Sequence, residues 1–186
     1  MKKLNAMTVK PHFSHMHIGV DWQVNYLASI GRDLFSQSKA EISSHYTLDK
    51  TKEVVAFAQD QHVQGVPTIW MVMMLEKEAL FLRSSRNLSD PTRRRTMLAF
   101  TPTFDQWVGN KHKNSIFSNP LLHPFLQKLG VTKLTLTGTE TGKCLAASAG
   151  DAVILGYEVD IPLNLTLDHD LAGKPMASFD DTKAEL

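Results

Sequence analysis

At 186 residues the chain has the length of one domain and can bury enough surface for a core without disulfide or metal staples. Its 42% hydrophobic and 21% charged residues exclude a disordered or fibrous polymer. With 20 Lys+Arg against 19 Asp+Glu the net charge is +1, so no global field draws it to nucleic acid or an anionic membrane.

A single cysteine, Cys144, rules out an internal disulfide framework and any CxxC motif, and fits a reducing compartment. The least polar run, Gly65 to Leu75, falls short of the ~20 residues a membrane span needs. The opening MKKLNAMTVKPHFSHMHIGV lacks the continuous apolar stretch of a signal peptide, so a cytoplasmic location is expected.

In chain order, His17 to Val20 predicts a first strand ending at Asp21, and Asp49 to Val63 a helix stopped by Gly65. Val66 to Met73 is apolar enough for a strand covered on both faces. Leu80 to Phe100 has no readable period, although Ser89-Asp90-Pro91 can open a helix through Arg93, Arg94 and Arg95. A short strand is expected over Phe104 to Val108, then a helix over Asn119 to Leu129 with Asn119 as its cap. Val131 to Thr137 predicts a β-branched strand, Lys143 to Leu155 a small-residue helix, and Tyr157 to Leu165 a strand that Pro162 suits to an edge. Ser178 and Asp181 could cap a last short helix. Short apolar runs alternating with amphipathic ones predict an α/β domain. The expected form is a three-layer, Rossmann-like fold with a parallel sheet of five or six strands and helices on both faces.

Cys144 follows a strand and a GTETG turn and falls in the first turn of a helix. There, unpaired backbone N–H groups and the helix dipole favour thiolate over thiol. Asp21 and Lys111 each stand near predicted strand ends, on the carboxyl edge where open α/β sheets hold their ligands. A cation can steady a thiolate and a carboxylate can take its proton.

Three segments occur in order: HIGVDWQ, KHKNSIF and LTGTETGKCLAASAGDAVILGYEV. Together, from Ile18 to Val159, they resemble the isochorismatase-like cysteine hydrolase superfamily. That group includes isochorismatases, nicotinamidases, carbamoylsarcosine amidases and ureidoacrylate hydrolases. The third segment is the most specific, with G-x-x-T-x-x-C followed by D-A and G-Y. The resemblance implies Asp21 as acid/base, Lys111 as catalytic lysine and Cys144 as nucleophile. Lys113 is the rival lysine, but the spacing to Phe117 selects Lys111. It further implies a substrate pocket bordered by Tyr26 and Phe117, and a non-proline cis peptide between Thr139 and Glu140. The backbone N–H groups of Glu140 and Cys144 would form the oxyanion hole, and the assembly would be a dimer or tetramer.

Two departures narrow the chemistry. MVMMLEKEALFLRSSRN has no histidine, where the nicotinamidase branch carries metal ligands, so no metal or other cofactor is expected. Asn164 stands where the family often has aspartate. Retention of the thiol favours C–N hydrolysis of a small amide or ureido substrate. The alternatives are vinyl-ether hydrolysis, which does not need the thiol, and a non-catalytic binding module. His12, His15 and His17 have a spacing a metal could use, yet without a carboxylate or cysteine partner they read as a solvated or core-edge cluster. Arg93, Arg94 and Arg95 could receive a substrate carboxylate but read as a solvated face, and Trp22, Trp70 and Trp107 as core.

Overall fold

The strand His15–Val20 (β1) separates two chemistries by its alternation. Met16, Ile18 and Val20 enter one apolar core, while His17 turns to the rings of Phe57 and Trp70 on the opposite face. The computed structural model describes residues 12–24, 26–27, 40–74 and 97–168, with side chains from residue 47 in the first helix. The readings over residues 80–96, including Arg93, Arg94 and Arg95, and the helix at Ser178 and Asp181 lie outside the described residues.

Five further strands pair in parallel: Thr68–Met73 (β2), Trp107–Lys111 (β3), Lys133–Thr139 (β4), Glu158–Asp160 (β5) and Thr166–Leu167 (β6). Their order is β3-β2-β1-β4-β5, with β6 pairing the carboxyl end of β4. The helices are Ala40–Val63 (α1), Leu122–Leu129 (α2) and Ala146–Ile154 (α3). Leu122, Leu126 and Leu129 of α2 and Ala149 and Ala152 of α3 share a core with Met16, Ile18, Leu134 and Leu136. Val54 and Ala58 of α1 pack with Trp22 and Trp70 on the other face. The layers are therefore helix, sheet and helix, as the alternation of runs predicts.

The boundaries differ where local chemistry competes with period. The first helix begins nine residues before Asp49, at Ala40, because Ser43, Ser44 and His45 hide its apolar period. The third strand is Trp107–Lys111, not Phe104 to Val108: Phe104 is fully exposed, and Gln106 closes a turn on Thr103. The helix expected from Asn119 starts at Leu122. Asn119 still receives the Leu121 N–H on its side chain at 2.9 Å. Cys144 sits in a π-helical turn, Thr141–Leu145, that precedes α3. The strand expected over Tyr157 to Leu165 is split: Pro162 ends β5, and a 3₁₀ turn, Leu163–Leu165, carries the chain to β6.

His17 is no core-edge residue. It is fully buried, its ring nitrogens lie 3.1 Å from the Thr68 hydroxyl and 3.0 Å from that of Thr137, and burial pushes its pKa down to about 3. The unfolded chain takes up this proton near pH 6.5 and the folded protein does not. His17 therefore costs no stability above that pH, and stability is lost as pH falls towards 3, with a slope of about 1.4 kcal/mol per pH unit. Urea unfolding from pH 7 to 4 is expected to show this slope, and H17N to flatten it. A slope unchanged in H17N assigns the acid sensitivity elsewhere.

Candidate active site

Asp21 is the first residue beyond β1 and adopts a φ of 55°, in the left-handed region that aspartate tolerates better than most side chains. Its N–H donates to Met71 O at 2.9 Å, and its carbonyl accepts from Gln23 N–H at 2.7 Å and Thr139 Oγ1 at 3.2 Å. The buried Gln23 amide works as a clamp, receiving Met73 N–H at 2.6 Å and donating to Met73 O at 3.2 Å. β4 passes close by only because residue 138 is glycine. A Cβ there would stand 2.0 Å from Val20 O, and its φ is 141°.

Lys111 ends β3, held in register where Met74 N–H donates to its carbonyl at 2.8 Å. Its ammonium is fully buried and has four neighbours: Asp21 Oδ2 at 2.8 Å, Cys144 Sγ at 3.3 Å, Lys113 O at 3.1 Å and Asn114 O at 3.0 Å. The rival Lys113 is exposed and serves the site only through its carbonyl. The loop that offers these carbonyls is braced by Ser118, whose hydroxyl accepts from His112 N–H and Lys113 N–H, both at 3.1 Å, and donates to Ser115 O at 2.8 Å. Asn119 Nδ2 closes its base on Asn110 O at 2.8 Å.

Cys144 is half-buried in the π-helical turn, where Leu145 N–H reaches back to Glu140 O at 3.2 Å. The peptide bond between Thr139 and Glu140 is cis. On one side of the turn Gly142 N–H donates to Asp168 Oδ2 at 2.7 Å and Thr141 Oγ1 to Leu167 O at 3.2 Å, tying it to β6. On the other, Ser148 Oγ donates to Cys144 O at 2.6 Å. Glu140 pairs with the exposed Lys143 at 2.6 Å.

The turn preceding a helix is expected to favour thiolate, and here that preference is overturned. Burial, and next the Asp21 carboxylate beside it, push the Cys144 thiol up to about 11 against the pull of Lys111. Burial likewise raises the Asp21 carboxyl above its ordinary range, with Lys111 offsetting part of the rise. Burial thus favours the protonated form of the thiol, and a raised carboxyl is a stronger base than a solvated aspartate.

Among the other residues singled out, Tyr26 is half-buried one residue before the buried Leu27. The Phe117 ring stacks on Tyr157 at 5.9 Å and meets His123 edge-on, so its described ring contacts lie with α2 and the residue that precedes β5. Trp22 and Trp70 are buried, whereas Trp107 is partly exposed against Phe125. His15 lies 2.8 Å from the Thr135 hydroxyl, and His12 packs over Gly130. Gln23, Ser118, Ser148 and Asp168 are missed by sequence reasoning. Only Ser148 carried a signal, standing four residues after Cys144 where a helical hydroxyl can return to a carbonyl.

The thiol assignment has a direct consequence. The rate of Cys144 alkylation by iodoacetamide should keep rising above pH 9, and D21N should move that titration to lower pH by removing the neighbouring negative charge. A wild-type midpoint below pH 7, or one that D21N leaves in place, contradicts it.

Residues 15–184 match the Isochorismatase domain family. Among solved structures, the chain superposes on an isochorismatase from Pseudomonas putida KT2440 with a TM-score of 0.61 and 19% identity, over 87% of this chain and 74% of that one. A pyrazinamidase of Pyrococcus horikoshii in complex with zinc gives 0.61 and 16%, over 86% and 89%. N-carbamoylsarcosine amidase from Thermoplasma acidophilum gives 0.57 and 15%, over 83% and 84%. A curated relative, a probable inactive nicotinamidase of Arabidopsis thaliana, is 42% identical over 53 residues, and that stretch spans 28% of this chain and 27% of the relative. Among the described residues no three of His, Cys, Asp and Glu converge, and residues 71–87 contain no histidine. The shared fold and the match along nearly the whole chain establish that this protein belongs to the isochorismatase family.

Proposed function

We propose that the protein is a cysteine hydrolase that cleaves the C–N bond of a small amide or ureido substrate through a thioester on Cys144. The observation that carries this reading is the buried Lys111 ammonium, 2.8 Å from the Asp21 carboxylate and 3.3 Å from the Cys144 sulfur at the carboxyl edge of a parallel sheet.

When substrate fills the site, Asp21 takes the Cys144 proton and the sulfur attacks the carbonyl carbon. Backbone N–H groups of Glu140 and Cys144 receive the developing oxyanion, a contribution worth about 10² to 10³ in rate for each donor in comparable sites. Asp21 returns the proton to the leaving nitrogen as the C–N bond breaks. It then takes a proton from water, which attacks the thioester, and hands that proton to the departing sulfur. The cycle ends with the neutral thiol and the carboxylate restored. Lys111 acts as a fixed counter-charge, its hydrogens also directed at two carbonyls.

A second reading, vinyl-ether hydrolysis with Asp21 as general acid, draws on the raised carboxyl. A panel of carboxamides, carbamoyl compounds and isochorismate, assayed against wild type, C144A and D21N, separates the two. C–N hydrolysis is expected to fall by on the order of 10⁴-fold or more in C144A. Isochorismate turnover that survives in C144A and fails in D21N would establish the vinyl-ether reading instead. Absence of turnover on the whole panel, with an unreactive thiol, would leave a binding module.

A further inference from the structure

We propose that Ser148 is a positioning residue that sets the distance between Cys144 and Lys111. The inference rests on the hydrolase reading above and extends it to a side chain that touches neither substrate nor the reacting atoms.

Ser148 is fully buried in the first turns of α3, and its hydroxyl is used twice. It donates to Cys144 O at 2.6 Å and accepts from Ile116 N–H at 3.1 Å. The first bond grips the turn that carries the sulfur. The second grips the chain just beyond Lys113 and Asn114, whose carbonyls hold the Lys111 ammonium. Ile116 and Ser148 are 32 residues apart in sequence and follow different strands, so nothing in the local backbone fixes one segment against the other. A hydroxyl has one proton to give and lone pairs to receive, and both are spent across this seam. Alanine at this position would leave the buried Ile116 N–H without its acceptor and free the loop to shift against the helix. The Lys111-to-sulfur contact, already long at 3.3 Å, is the contact such a shift changes first.

The charged groups that act on the thiol are Asp21, Lys111 and, from the rim, Lys143 with its partner Glu140. A substitution at Ser148 alters none of these charges. A titration moved to higher pH therefore reports a longer Lys111-to-sulfur spacing, whereas a loosened fold that admits water would move it lower.

The test is the pH profile of Cys144 alkylation by iodoacetamide in the full chain, with thermal unfolding measured in parallel. S148A is expected to lower the alkylation rate at pH 8 by about tenfold and to move its midpoint to higher pH. S148T, which keeps the hydroxyl, should stay within about threefold of wild type. In a K111M background the S148A change should disappear, since the contact it protects is already gone. If S148A lowers the melting temperature but alkylates with the wild-type profile, the hydroxyl is only structural and the proposal fails while the hydrolase reading stands. If S148A has the same effect with and without Lys111, the proposed route is wrong. A C144A variant that hydrolyses the amide substrates at the wild-type rate sinks both readings. Should S148T or K111M fail to fold, the S148A profile against wild type still decides.

Discussion

The site depends on a buried ammonium shared between a carboxylate and a sulfur. Lys111 has no solvent around it, and a buried cation is tolerable only when it is paired and its hydrogens are directed. The fold meets that demand with an anion from the end of β1, two carbonyls from the loop after β3 and a thiol from the turn after β4. Removing one member of such a pair typically costs about 3 to 5 kcal/mol, because the remaining charge stays buried. Much of the architecture at the carboxyl edge can be understood as bracing for this one arrangement: the left-handed Asp21, the Gln23 clamp on Met73, and the Ser118 and Asn119 bonds around the lysine loop.

Strand order explains how residues so distant in sequence meet. β1 lies centrally, with β2 and β4 as its neighbours, so the end of β1 faces the ends of both. Asp21 follows β1, Cys144 follows β4, and Lys111 ends β3, one strand further out. A long, flexible lysine is the side chain that can cross the intervening end of β2, while an aspartate or cysteine at that place would fall short. The residue types therefore match their distances from the centre of the sheet.

The fold class and the three charged or nucleophilic residues were legible because each leaves a mark in one dimension. Apolar runs alternate with amphipathic ones, and Asp21, Lys111 and Cys144 stand beside strand ends with characteristic neighbours. Less legible was anything set by tertiary context. The strand Trp107–Lys111 ends in Gly-Asn-Lys, which reads as a loop until the pairing of Lys111 is known. His17 reads as a rim histidine until two threonines from neighbouring strands accept and donate to it. Ser148 and Ser118 are ordinary serines by sequence, because what distinguishes them is the seam they cross. The environment of Cys144 is hidden for the same reason. The helix end favours a thiolate, but burial and a neighbouring carboxylate outweigh it, and neither is visible locally.

That reversal constrains the chemistry. One buried cation can balance one buried anion, and in the resting site Asp21 already supplies it. A thiolate added beside an ionised Asp21 would leave an uncompensated negative charge in a poorly solvated place, which is the physical cause that pushes the thiol up. Moving that proton onto Asp21 conserves the count, since the carboxylate becomes neutral as the sulfur becomes charged. In the proposed cycle, attack on a carbonyl then passes the same single charge to the oxygen, where backbone N–H donors would take it without help from water. In the proposed cycle each step leaves one anion opposite Lys111, and the raised carboxyl and the raised thiol both follow from burial around that one cation. A site with a resting thiolate would have to eject Asp21's charge first, and would then lack the base that the proposed second step requires.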